Sequence, residues 1–301
     1  MTLDAIIFLH RGDSAYLQCA LAQARRSNPD TRIVLLGDDS NGKYSKLVEY
    51  HRISDFMAAA NAFRDRYIHL SSNAFEFEFR CFERWFVIWE FCKRSDVQAL
   101  FCADSDVLIY SNLQDIMARF GIFDVSLSLN SCAHASYWTI EALRAFCEFV
   151  TKAYTSDAAA LEDMYRDYKA TGNPGGICDM TLLNMFGRNA DIQVIETTDI
   201  IEGAAFDHNL NCISDGPNHY VSHFGAKKLL WRNDLPYGQL QEDSTLVRFD
   251  ILHFQGIAKN GMTKVFKRQG QVFDRPLPST SWLRLIFRVR RVLTRVLARF
   301  A

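Results

Sequence analysis

The run Leu100-Phe101-Cys102-Ala103-Asp104-Ser105-Asp106-Val107-Leu108-Ile109 constrains this chain more than any other stretch. Its apolar residues read as a buried strand, the kind a parallel sheet needs because helices cover both of its faces. Two carboxylates spaced i, i+2 then interrupt it. In an extended segment alternate side chains share a side, so Asp104 and Asp106 are expected to point together and Ser105 away. Open α/β sheets bind ligands at the carboxyl ends of their strands, where this pair falls. Paired carboxylates suit a hard divalent cation such as Mg²⁺ or Mn²⁺. An isolated Asp-x-Asp is also an ordinary turn or helix cap, so the rest of the chain has to decide.

Strand and helix signals alternate from the start. Ala5 to Leu9 and Thr31 to Leu36 read as buried strands around a helix at 14–26, with Asp13 or Ser14 as its N-cap. His51 to Phe56 reads as a cap of a short element and Arg66 to Leu70 as a strand. Phe75 to Phe79 alternates like a strand, yet Phe79, Phe82, Phe86 and Trp89 keep helical spacing, which favours a helix over 76–93. Arg80 and Arg84 share a face of that helix. They can grip a diphosphate or pair with Glu76 and Glu83, and the two readings stand level. Further helices are expected at 112–120, 139–154, 158–169 and 179–187, with a strand at 124–129 and a breaker at Asn173 to Gly176. Residues 192–250 are irregular. Ile251 and Leu252 then lead into His253. No Gly-x-Gly-x-x-Gly and no Gly-Lys-Ser phosphate loop is present, which argues against dinucleotide and P-loop enzymes.

With 301 residues, 49% hydrophobic and 23% charged, the composition is that of a globular chain with a sizeable core. The formal net charge of −1 argues against a nucleic-acid platform. Eight cysteines lack any Cys-x-x-Cys and are expected as free, mostly buried thiols in a reducing compartment. The N-terminus has no signal-peptide pattern, and no stretch of about 18 apolar residues predicts a spanning helix.

Four segments, in order, resemble retaining nucleotide-sugar glycosyltransferases of the GT-A fold, in particular the glycogenin-like and lipopolysaccharide galactosyltransferase group. Asp13-Ser14-Ala15-Tyr16 is similar to that family's uracil-facing loop. Ala103 to Leu113 is similar to its metal-binding strand, Asp179-Met180-Thr181-Leu182-Leu183-Asn184 to its Asp-Gln-x-x-Leu-Asn segment, and His253 to Lys259 to its His-x-x-Gly-x-x-Lys. The resemblance implies an α/β fold, a GT-A type single domain over 1–275 with a Rossmann-like mixed, mostly parallel sheet flanked by helices. Its nucleotide-binding half would be about 1–120 and its acceptor half about 121–275.

The same likeness implies Asp104, Asp106 and His253 as ligands of Mn²⁺ or Mg²⁺. It places Asp13, Tyr16, Gly256 and Lys259 around a UDP-sugar, where Ser105 and the helix-face arginines Arg80 and Arg84 are also expected to bind the donor, and Asp179 beside the transferred sugar. Asp179 reads equally as the N-cap of its helix. Two departures stand out: Met180 replaces the family's Gln beside the sugar, and Asn260-Gly261 replaces its Pro-Trp. The implied activity is hexosyl transfer, retaining rather than inverting, to a glycan or glycolipid acceptor in bacterial surface polysaccharide, lipopolysaccharide or capsule synthesis. The competing readings are an Asp-x-Asp phosphatase or phosphotransferase and an inactive sugar-nucleotide binder.

The remaining histidines (10, 51, 69, 134, 208, 219 and 223) have no ligand-like spacing; His134 and Asn130 follow a strand and can meet the acceptor, but are expected rather as satisfied surface groups. Over 276–301 an apolar stripe from Trp282 to Phe300 opposes an all-arginine stripe, Arg284 to Arg299. Such a basic amphipathic helix suits an anionic membrane surface through residues 279–301, the competing reading being a helix docked on the domain or on a partner subunit. A cytoplasmic enzyme, peripheral on the inner face of the membrane, is therefore expected.

Overall fold

The computed structural model describes residues 2–189, 191–223 and 225–267. The amphipathic segment expected at 276–301 lies outside them. In chain order the described elements begin β1 (Ala5–His10), α1 (Ala15–Ser27), β2 (Arg32–Gly37), β3 (Glu49–Arg52), α2 (Ala58–Arg64), α3 (Phe75–Arg94), β4 (Ala99–Ala103) and β5 (Val107–Ile109). They continue α4 (Leu113–Phe120), β6 (Val125–Leu127), β7 (Ala135–Thr139), α5 (Ile140–Ala153), α6 (Ala158–Ala170), α7 (Asp179–Gly187), β8 (Val194–Glu196) and β9 (Ala204–Phe206). Short strands follow: β10 (Ser214–Asp215), β11 (Asn218–His219), β12 (Ser222–His223), β13 (Ala226–Lys227), β14 (Leu230–Arg232) and β15 (Leu235–Gln239). The long β16 (Leu246–His253) and α8 (Lys259–Lys267) end the described chain.

The chain divides into two compact units, one of residues 1–14, 24–105 and 111–197, the other of 15–23, 106–110 and 198 onward. The first holds a seven-stranded sheet in the order β3-β2-β1-β4-β7-β6-β8. Within it β1 pairs in parallel with β2 and β4, β2 with β3 and β6 with β8, whereas β7 runs antiparallel to both its neighbours. The mixed, mostly parallel sheet expected from the sequence is therefore present. Its strand order reverses between β1 and β4, the switch point at which α/β sheets open a crevice beyond their strand ends.

One apolar cluster, drawn from Ala5 to Phe186, lies against this sheet and is dominated by α3. The conflict between strand and helix periods in Phe75 to Phe79 resolves in favour of the helix. Phe79, Phe82 and Phe86 point into the cluster, leaving Phe77 61% exposed as the residue that fits only the other period. Each fully buried ring contributes about 1.5–3 kcal/mol, so three of them outweigh one exposed phenylalanine. Helix starts follow local chemistry where it is available. Asn112 caps α4 by accepting from the amides of Gln114 and Asp115, and Thr139 caps α5 through Ala142.

The strand expected at Arg66 to Leu70 does not form. Tyr67 and Leu70 are buried in the aromatic cluster, and the backbone is satisfied by a loop instead: the Ile177 amide donates to the Leu70 carbonyl at 2.8 Å. Ser71 bridges Gly176, where an added Cβ would lie 2.2 Å from the Leu70 oxygen, so that pairing requires glycine.

In the second unit β14, β15, β16 and β5 form an antiparallel sheet, and β9 adds in parallel to β16. β5 pairs with the end of β16 through Val107 opposite His253. Among the described residues no helix is long and apolar enough to cross a membrane. All eight cysteines are free.

Candidate functional site

The Asp-x-Asp run is not one extended strand. β4 stops at Ala103, residues 104–106 turn, and β5 starts at Val107. The alternation argument for a shared direction therefore fails, and the surroundings of each aspartate have to be taken separately.

In the first unit Asp104 follows β4, its amide donating to the His134 carbonyl at 2.7 Å. Arg84 reaches from α3 and donates to Asp104 Oδ1 at 2.8 Å and to Asp179 Oδ2 at 2.7 Å. The Trp85 indole donates to the same Asp179 oxygen at 3.2 Å, and the Arg84 guanidinium lies 4.5 Å from the Trp85 ring. Burial alone would favour the neutral form of Arg84, but Asp179 and then Asp104 outweigh it and hold its pKa above the ordinary value. Asp179 is buried at the first position of α7, and Cys178, not Asp179, occupies the N-cap. Its cap reading is thus replaced by a carboxylate held by Arg84. An unpaired charge there would cost several kcal/mol.

Met180, in the position the resemblance gives to Gln, is 43% exposed, with its sulfur 3.5 Å from the Cys132 thiol. At the switch point His10 Nδ1 lies 2.8 Å from Ser105 Oγ. Arg80 and Arg84 do not act as a pair. Arg80 lines a separate groove of about 330 Å³ with Arg11, Asp38, Arg52, Glu76 and Glu83. There Glu83 pairs with Arg11 and Glu76 with Arg64, so neither expected partner of the two arginines is used that way. Asp13 is exposed and pairs with Lys43 at 2.5 Å.

In the second unit Asp106 is buried between two basic side chains. His253 Nε2 lies 3.7 Å from its Oδ1, and Lys259 Nζ lies 3.0 Å from its Oδ2. The Phe254 amide donates to the Asp106 carbonyl at 2.9 Å, continuing the β5–β16 pairing that brings His253 here. After β16 the chain turns at Gly256, whose φ of 61° lies in the left-handed region glycine adopts without strain. That turn sends Lys259, the first residue of α8, back toward Asp106. The Lys259 ammonium also lies 5.7 Å from the centre of the Tyr16 ring, so four predicted site residues of this unit converge.

The His253 ring is held at one nitrogen. Nδ1 is 2.6 Å from the His208 carbonyl, which can only accept, so Nδ1 is the donor there and Nε2 is the nitrogen turned toward Asp106. Sequence reasoning missed this grip, as it missed His10 and Trp85, because partners supplied by a backbone carbonyl or by a distant strand end leave no spacing signal. His134 is also corrected: it is buried, not at the surface.

No family model and no curated relative matches the chain. Among solved structures it is similar to mouse xyloside xylosyltransferase 1 in its apo form, at 10% identity over 69% of this chain and 87% of that one, with a TM-score of 0.49. It is also similar to an active-site mutant of LgtC, at 12% identity over 90% of this chain and 98% of that one, TM-score 0.47. The glycosyltransferase GlyE of Streptococcus pneumoniae TIGR4 overlaps at 16% identity and a TM-score of 0.36, over 66% of this chain and 46% of that one. At these scores the overlaps carry no chemistry across, and the function rests on the residues themselves.

Proposed function

We propose that this protein is a metal-dependent glycosyltransferase that moves a hexosyl group from a UDP-sugar to a glycan or glycolipid acceptor. The observation that carries the reading is the Asp106 carboxylate, buried at a strand end between the His253 imidazole and the Lys259 ammonium. His253 adds a nitrogen donor to the Asp106 oxygen, and the sequence resemblance names Asp104, two residues earlier, as the third ligand. The 3.7 Å between His253 Nε2 and Asp106 is a separation that two ligands about 2.1 Å from one shared ion can have. The set suits Mn²⁺ at least as well as Mg²⁺. When bound, the cation would supply Lewis acidity at the diphosphate.

The chain's own residues supply the rest. Lys259 offers positive charge where the departing nucleoside diphosphate gathers negative charge, a gain realised in the transition state. Tyr16 flanks that lysine and gives the donor an aromatic face. Arg84 fixes Asp179 with one N–H and Asp104 with another, so the Asp179 carboxyl group is held in one direction. A fixed carboxylate beside a sugar that becomes oxocarbenium-like stabilises the developing cation or orients its hydroxyls.

Incubating the protein with Mn²⁺ and a panel of UDP-sugars tests the reading. The expected result is slow, metal-dependent release of UDP from one or two donors. Release from none of them, or release of phosphate from simple phosphomonoesters instead, would refute it.

A further inference from the structure

Behind His253 lies a fully buried group of charges that no sequence motif marks. Lys227 Nζ donates to Asp207 Oδ1 at 2.5 Å, to Asp215 Oδ1 and Oδ2 at 2.7 and 2.6 Å, and to the Asn209 carbonyl at 3.2 Å. None of the three charged side chains has measurable exposure. The ammonium is also faced by the Tyr220 and Phe249 rings, at 5.2 and 5.6 Å. Room for those rings exists because residue 238 is glycine: a Cβ there would come within 2.7 Å of both.

Asp207 spends its second oxygen on the backbone of the candidate ligand. Asp207 Oδ2 accepts from the His253 amide at 2.9 Å, and the very next residue, His208, gives its carbonyl to the His253 ring. Consecutive residues therefore hold His253 at two points, amide and imidazole, and Lys227 anchors the first of those residues from behind. A buried ion group is weak evidence for stability, because desolvation offsets most of its attraction. Its geometry is better explained by what it holds: ligating histidines depend on partners that fix tautomer and ring direction.

We propose that Asp207 and Lys227 are positioning residues that fix the tautomer and direction of His253, presenting Nε2 toward Asp106. The proposal rests on the cation reading above only for what that nitrogen is aimed at.

Two readouts on the whole protein test it: two-dimensional ¹H–¹⁵N spectra of the histidine rings, with His253 assigned by a His253→Gln variant, and Mn²⁺ affinity by electron paramagnetic resonance. The wild type is expected to carry its His253 proton on Nδ1. Asp207→Ser and Lys227→Met are expected to give a tautomer mixture and to raise the Mn²⁺ dissociation constant roughly ten-fold or more. Asp215→Asn, equally buried and also on Lys227, keeps a side-chain oxygen for the His208 amide that Asp215 accepts from at 3.4 Å, and is expected to leave both readouts unchanged. If Lys227→Met does not fold, Asp207→Ser, which keeps Lys227 on Asp215, decides. An unchanged tautomer in Asp207→Ser, or equal damage from Asp215→Asn, overturns the proposal. Should the wild type take up no Mn²⁺, the cation reading falls, while the ring spectra still decide the positioning of His253.

Discussion

Asp104 and Asp106 are two residues apart and live in different chemical worlds. Asp104 is 41% exposed and already holds a guanidinium, that of Arg84, which also ties down buried Asp179. Asp106 is 7% exposed and faces the His253 imidazole and a lysine that begins its helix. Behind the first stands the aromatic wall of α3; behind the second stands a buried ion group. The first arrangement satisfies its charges internally and is built to hold still. The second keeps a carboxylate and a ring nitrogen together without a hydrogen bond between them, an arrangement that a cation would complete.

If that contrast is right, the two sides should fail differently. The largest effect belongs to Asp106→Ala, expected to lower metal-dependent UDP release about a thousandfold while the fold survives, as turnover and circular dichroism would read. Ordinary turnover would break the contrast. Arg84→Met should instead act on stability: it leaves the Asp179 carboxylate buried without its guanidinium, at a cost of about 3 kcal/mol in chemical denaturation. A change below 1 kcal/mol would show that Trp85 and the Met180 amide, which donates to Asp179 Oδ1 at 3.0 Å, hold Asp179 unaided.

Gly238→Ala sharpens the second side, because its Cβ meets the Phe249 and Tyr220 rings at 2.6–2.7 Å. Overpacking of this kind costs about 2 kcal/mol, readable in the same denaturation series.

The smallest effect is one of pH, and its sign differs between the units. In the first unit Glu49, hydrogen-bonded by Arg32, has its pKa lowered from 4.5 to about 2. The folded form there binds its proton more weakly than the unfolded chain. Its contribution is present above pH 4.5 and is lost as pH falls toward 2. In the second unit burial, and then the neighbouring Asp207, push Asp215 from 3.8 up to about 7. The folded form there binds its proton more tightly, so stability falls as pH rises from about 4 to 7 and is level above. Asp215→Asn, which mimics the protonated form, should therefore gain on the wild type between pH 5 and pH 8 in denaturant midpoints. A gap that does not move with pH would contradict this.

The same contrast explains what could be seen in the sequence. The strands Ala5 to Leu9 and Thr31 to Leu36, the helix of Phe79, Phe82 and Phe86, and the run into His253 were all legible, because burial on one face or two imprints a period on the residues. Asp106, His253 and Lys259 were legible through a motif whose spacing the Gly256 turn requires. What stayed hidden depends on contacts between distant segments. Arg66 to Leu70 carries a strand-like pattern, but its burial is met by an aromatic cluster and a glycine loop. The turn at 104–106 is invisible in a run that is apolar on both sides. Asp207, Asp215 and Lys227 lie in the irregular stretch 192–250, where three charges read as solvated loop residues until the fold closes them in.

The most direct test of the central claim is an anomalous-scattering map from a crystal of the whole protein soaked in Mn²⁺. A single strong peak bonded to His253 Nε2 and Asp106 is the predicted result. An imidazole left bare beside Asp106, with the only manganese at scattered surface carboxylates, would contradict the account.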